Sequence, residues 1–247
     1  MRRKLFLLGL IGCFSLSTFA QSKIIREISI EGNKRTKTSF LKRLAFVKEG
    51  SELDSARLAS DERRFRLLPS VASASYKVIP LDNDEYKIVY TVVENFAIIP
   101  GLNVTQDVND GIAFRTSLFD FNFLGQNQIV GGFYSRNVFN SYGFFWEAPN
   151  LFTRKWGIGL NYQNNVLQEP VFFEDERDVN FRFDSKAFEV RAFYEHNFNN
   201  RFVLGLNFAR EDYAFLDGEL PGEIPLELEL ERINVVGSYE YNNSRQG

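Results

Sequence analysis

From residue 97 onward the chain is written in twos. Trp156-Gly157-Ile158-Gly159-Leu160-Asn161-Tyr162-Gln163 sets Trp, Ile, Leu and Tyr against Gly, Gly, Asn and Gln. Phe202-Val203-Leu204-Gly205-Leu206-Asn207-Phe208-Ala209 repeats the arrangement almost residue for residue. Successive side chains of a strand project to opposite faces, so each segment is a ribbon with one oily side and one small or polar side. A soluble sandwich buries the oily side in a core. A transmembrane barrel turns it to lipid and keeps the small and polar groups inside.

The same alternation predicts eight strands, at about 97–105, 111–121, 128–136, 141–148, 155–163, 187–196, 201–213 and 227–241. Most have the nine to eleven residues, roughly, that a tilted strand needs to cross a bilayer. The connections differ in character. Those at 121–126, 149–152 and 197–200 are short, whereas 164–186 and 214–226 read as long loops rich in acid and proline. Short turns on one side and long loops on the other is the asymmetry of outer-membrane barrels. Gly131, Gly132, Gly143, Gly157, Gly159 and Gly205 fall inside strands, where glycine marks sharp curvature or close backbone approach. Tyr142, Trp146, Trp156, Tyr162, Tyr239 and Tyr241 read as an aromatic girdle at the lipid headgroups.

The stretch before residue 96 obeys another grammar. Residues 24–30 alternate as a short strand, and Glu31-Gly32-Asn33 is a turn. Thr38 is placed to cap a helix that Gly50 ends, and Asp54 to cap a second that Pro69 stops. Leu58, Phe65 and Leu68 point inward from the second helix. Strands at 71–79 and 86–93 follow, joined by Asp82-Asn83-Asp84-Glu85. The order is β-α-α-β-β, a small α+β unit.

Particular residues within that unit carry a resemblance. Ile28-x-Ile30-x-Gly32-Asn33-x-x-Thr36, Gly50-x-x-Leu53-Asp54, Asp61-x-x-Arg64-Phe65-x-x-Leu68 and Val89-x-Thr91-Val92-x-Glu94 together resemble a POTRA (polypeptide-transport-associated) domain. Asn122-Phe123-Leu124-Gly125 and Glu147-Ala148-Pro149-Asn150-Leu151-Phe152 resemble turns near the start of BamA-family barrels. The resemblance is to the superfamily of BamA-type insertases and two-partner secretion transporters. It implies that the strand after the helices is a sheet edge that takes client polypeptide by β-augmentation, through Ser73, Ala74, Ser75, Tyr76, Lys77 and Val78. It further implies a weak barrel seam at the first barrel strand, Ile98, Ile99, Pro100, Gly101 and Leu102, where proline removes a ladder hydrogen bond. Barrels of the family have about twice as many strands as the eight read here, within the usual range. The late Val-Arg-Gly-Phe/Tyr loop motif of the family is not in the sequence, so the barrel is expected to be incomplete.

Composition narrows the classes further. With 26 Phe, 10 Tyr and 2 Trp but a mean hydropathy of -0.24, the apolar residues are abundant yet dispersed. No run of roughly 18 apolar residues exists, so no transmembrane helix is expected. Arg2, Arg3 and Lys4, an apolar run from Leu5 to Ile11 and the small residue Ala20 read as an export signal over 1–20. Leu10-Ile11-Gly12-Cys13 offers a lipoprotein signal as the alternative. Cys13 is the only cysteine, so the exported chain after cleavage at Ala20 has no thiol chemistry or disulfide. His196 is the only histidine, which excludes a multi-His metal site and leaves no Ser-His triad in view. Residues 21–95 carry 14 Lys+Arg against 11 Asp+Glu, and residues 96–247 carry 12 against 21. Neither segment has the basic patch that nucleic acid requires. Glu174-Asp175-Glu176-Arg177-Asp178 reads as a solvated acidic loop rather than a calcium site. Arg115, Glu189, Arg191 and Glu195 share the polar side of their strands and are expected to face the lumen.

The sequence therefore predicts three segments: a signal peptide (1–20), a POTRA-like α+β domain (21–95) and antiparallel transmembrane β-barrel strands (96–247). The expected protein is non-enzymatic, with no cofactor and no metal. It lies in the outer membrane of a diderm bacterium with the POTRA domain in the periplasm. Its expected partners are unfolded outer-membrane or secreted polypeptides, outer-membrane lipid and periplasmic or lipoprotein accessory subunits. Two other readings stay open: a structural or adhesive small barrel, and a soluble β-sandwich.

Overall fold

The computed structural model of the chain describes residues 23–106, 111–172, 178–197, 199–220 and 224–241. The expected signal (1–20), the acidic run 174–177 and the residues from 242 onward lie outside them. The first unit consists of β1 (Ile24–Glu31), α1 (Thr38–Leu44), α2 (Ser55–Arg66), β2 (Val71–Pro80) and β3 (Glu85–Glu94). β3 is the central strand, parallel to β1 and antiparallel to β2. Phe40, Leu41, Leu58, Phe65 and Ile88 are fully buried between helices and sheet. Each contributes about 1.5–3 kcal/mol by leaving water. The Phe65 ring meets Tyr90 edge-on at 5.2 Å.

The caps differ in part from the sequence reading. Asp54 does cap α2, its carboxylate accepting from the N–H groups of Ala56 (2.9 Å) and Arg57 (3.2 Å). At α1, however, the N-cap is Lys37 and no side chain caps it. Thr38 is spent instead on accepting from the Asn33 side chain (3.0 Å). Gly50 does not end α1, which stops at Leu44. With φ +85° it makes the turn that brings the following residues alongside β1.

The second unit is β4 (Ile98–Gln106), β5 (Ile112–Phe123), β6 (Gln128–Arg136), β7 (Asn140–Ala148), β8 (Trp156–Phe172), β9 (Asp178–Asn197), β10 (Asn200–Gly218) and β11 (Glu227–Tyr241). These strands form one antiparallel meander in which, among the described residues, β4 and β11 are the outer strands. Among the described residues no helix is long and apolar enough to cross a membrane.

The faces of this sheet are distinct. Arg201 on β10 reaches Glu147 on β7 at 3.0 Å. Three strand spacings separate them, about 14 Å on a flat sheet, so their shared face is strongly concave. On the convex face Trp156, Tyr194, Phe202 and Tyr239 are directly paired neighbours. Their successive ring centroids lie 4.6, 6.4 and 5.1 Å apart, an aromatic row across four strands. Next to it stand Leu204 and Leu206, 62% and 46% exposed, and Val235, 72% exposed. Among the described residues no second protein layer covers these side chains, as a soluble sandwich would require.

The two long loops are a correction. β8, β9 and β10 run for 17, 20 and 19 residues, through most of 164–186 and into 214–226. Both faces of the sheet change character at one register. On the convex side Phe188, Phe208 and Ile233 give way to the paired row Lys186, Arg210 and Glu231. Beyond it Arg210 bonds Glu229 (2.9 Å) and Arg182 bonds Asp184 (3.3 Å). On the concave side Glu189 and Asn207 give way to Phe183 tilted against Tyr213 (4.8 Å) and Phe181 edge-on to Phe215 (6.1 Å). The outward-oily pattern thus holds for about four alternate positions per strand and then reverses.

Candidate functional site at the domain junction

The residues expected to take a client, Ser73 to Val78, lie on β2, an edge of the three-stranded sheet. Ala74 is buried and Tyr76 packs 6.5 Å from Tyr90, while Ser73, Ser75 and Lys77 are exposed. Among the described residues no strand pairs with the outer side of β2. The opposite edge, β1, is guarded. Ile25 donates to Ser51 O (2.9 Å) and Gly50 donates back to Ile25 O (2.8 Å). Leu53 donates to Lys23 O (2.8 Å). An unpaired edge is a template for another strand, and this asymmetry leaves β2 as the longer one.

The motif residues Asp61, Arg64 and Phe65 acquire separate jobs. Phe65 fills the core. Asp61 ties down the chain after α1, accepting from the N–H groups of Phe46 (2.6 Å) and Val47 (3.0 Å) and from the Tyr90 hydroxyl (3.0 Å). Burial pushes the Asp61 carboxyl above the ordinary aspartate value, against the lowering effect of those donors and of Arg64. Arg64 leaves the domain altogether and bonds Glu195 at the end of β9 at 2.6 Å. The Phe46 ring lies beneath two guanidinium groups, Arg154 at 3.9 Å and Arg64 at 5.0 Å.

Other contacts complete the junction. Lys37 N–H donates to Gly125 O (2.8 Å), Asn122 donates to the Thr36 hydroxyl (2.9 Å) and Arg35 pairs with Asp120 (3.0 Å). Glu94 holds the same loop by accepting from the N–H groups of Arg35 and Thr36. Arg43 donates to Asn150 O (3.3 Å). The first domain is therefore seated across three hairpin turns, β5–β6, β7–β8 and β9–β10. A cavity of about 330 Å³ remains between Leu44, Arg64 and Leu68 on one side and Glu147, Glu195 and Arg201 on the other. The turn signal Asn122-Phe123-Leu124-Gly125 is part of this joint. Gly125 has φ +66° and a Cβ there would stand 2.2 Å from Arg35 O. Gly125→Ala is expected to cost about 1–3 kcal/mol, seen as faster proteolysis at residues 95–97 between the two units.

Glu189, Arg191 and Glu195 lie on the concave face. Arg191 pairs with Glu189 (2.9 Å), and Arg201 pairs with Glu147 and, at 3.8 Å, with Glu240. Arg115, on the same face of β5, stacks 3.7 Å over Phe133. Sequence reasoning missed Arg201, and it named Thr36 and Glu147 only as motif positions, without the distant partners Asn122 and Arg201 that the fold brings to them. Ile98 to Leu102 occupy β4, the outer strand at one end of the sheet, and Leu102 is 76% exposed. Asn95 N–H donates to Ser70 O (2.8 Å), so the open strand β2 begins beside the connection that leads into the outer strand β4.

Residues 23–95 match the POTRA family, described as "Surface antigen variable number repeat". The fold resembles BamA from Haemophilus ducreyi lacking POTRA domains 1–3, with a TM-score of 0.62 at 18% identity over 91% of this chain and 45% of that one. It also resembles CdiB from Acinetobacter baumannii (TM-score 0.53, 12% identity, 90% of this chain and 44% of that one). CdiB from Escherichia coli matches with a TM-score of 0.55 at 11% identity, over 91% of this chain and 43% of that one. The chain spans a little under half the length of these structures. Residues 23–95 are a POTRA domain, and the open eight-stranded sheet has the fold of part of a BamA-type barrel.

Proposed function

We propose, from the premise that one chain joins a POTRA domain to a BamA-type barrel sheet, that this protein receives unfolded outer-membrane or secreted polypeptides and inserts them into, or passes them across, the outer membrane of a diderm bacterium. The POTRA domain lies in the periplasm, beneath the concave lumen face, and works by binding, without making or breaking covalent bonds. The observation that carries this reading is the open strand β2, which begins at the Ser70–Asn95 contact beside the connection into the barrel-type sheet. Backbone pairing ignores side-chain identity and suits many clients. Periplasmic or lipoprotein subunits have the outer surface of the POTRA domain to dock on.

A photo-crosslinker at Ser75 in the exported chain, folded in lipid vesicles, tests it. Capture of an unfolded client at Ser75, with none from the exposed α2 position Arg57, is the expected result. A client that never crosslinks at Ser75 overturns the reading and leaves a structural or adhesive barrel.

A further inference from the structure

We propose that the POTRA domain has a second recognition site, on the β1 side: a groove for an extended polypeptide segment that presents an acidic side chain, as Glu49 does, near an apolar one. It rests on the reading above only in taking that polypeptide to be a client. The backbone guard of β1 ends at Ile25. Three residues on, the Ile28 N–H also points outward, but a side chain and not a strand takes it: Glu49 Oε1 accepts at 3.1 Å. The same oxygen lies 3.1 Å from Lys42 Nζ. One backbone donor and one ammonium thus form a carboxylate cradle on a strand edge, filled by a side chain that is itself 51% exposed. Beyond Ile28 no strand among the described residues pairs with the outer side of β1.

Beside the cradle lies a cavity of about 130 Å³ between β1 and the end of α1, walled by Ile28, Ile30, Ala45, Val47 and Tyr90. An apolar cavity of roughly 150 Å³ is enough to hold a benzene ring, so this one suits a single apolar side chain. Lys48 folds over the end of α1, donating to Lys42 O (2.6 Å) and Arg43 O (3.4 Å), and keeps this rim positive. An incoming carboxylate replaces that of Glu49 on Ile28 and Lys42 and sends Glu49 into water. The charge balance of the cradle is unchanged, and the segment gains the cavity and the free edge of β1. Glu49 is therefore a tethered competitor, and its removal strengthens binding.

The test uses the whole exported chain in detergent micelles and three fluorescent decapeptides ending in Phe: one amidated with Glu two residues before the Phe, so that both side chains share a face, one amidated without the Glu, and one without the Glu but with a free-acid terminus. Fluorescence anisotropy is expected to give the tightest binding for the Glu peptide, and tighter binding of the free-acid peptide overturns the proposal. Glu49→Ala is expected to tighten that binding about tenfold by removing the intramolecular competitor, and Lys42→Ala to weaken it. Equal binding of all three peptides, or no tightening in Glu49→Ala, overturns the proposal. Client crosslinking at Ser75, followed in the same Glu49→Ala protein, separates this outcome from failure of the β2 reading.

Discussion

Asp61→Ala should unfold the first domain more readily than any surface substitution, lowering its stability by about 3 kcal/mol or more. The carboxylate serves two backbone N–H groups and one phenol, the Val47 and Tyr90 donors buried and the Phe46 donor half-buried. Removing it strands three donors, each costing about 1–3 kcal/mol when buried without a partner. Asp61→Asn keeps the shape but turns an NH2 toward a donor, so its loss should be smaller. Urea unfolding followed by tyrosine fluorescence measures both. If Asp61→Ala is no worse than Asp61→Asn, the carboxylate does not organise the helical hairpin. Because burial raises this carboxyl in the folded state, its pH linkage is inverted relative to a salt-bridged aspartate. Its contribution is fullest at acid pH and is lost as pH rises through the folded value.

The second large effect separates two neighbouring residues on β10. Leu206→Arg puts a charge in the middle of the convex apolar band and should cost about 2–4 kcal/mol, abolishing the heat-modifiable folded form in vesicles. Asn207→Arg, one residue on, enters the concave face opposite Glu189 and beside Asn234, and should fold normally. Folding of Leu206→Arg with failure of Asn207→Arg would reverse the assignment of the two faces and remove the membrane reading.

Much of the architecture was legible because it is written locally. The run of strand-forming residues in β6, the Asp54 cap and the inward side chains of α2 all depend on residues within one element. The extra length of β8 to β10 was hidden by an exchange of faces, not by a change of backbone. Below Lys186 and Arg210 the oily side chains point outward, and above them they point inward. A reader who keeps one parity loses the strand where the faces exchange. Glu169, Pro170 and the acidic residues reinforced the impression of a loop. The junction was illegible for another reason. Arg64 and Glu195 stand 131 residues apart in sequence, and nothing local distinguishes them from solvated charges. The motif around Asp61 was visible as a pattern, but its tasks appear only when the N–H groups of Phe46 and Val47 and the distant Glu195 are brought to it.

The unbroken length of β9 and β10 has a mechanical consequence. Each strand is some 60 Å from end to end at about 3.3 Å per residue, hydrogen-bonded nearly throughout, with Val179 near one tip and Glu195 and Arg201 near the other. A ladder loaded along its strands is stiff, because many bonds share the shear. A tug on the Val179 end is therefore expected to arrive at the Arg64 contact as a tilt of the whole wall, the way a crowbar carries a push.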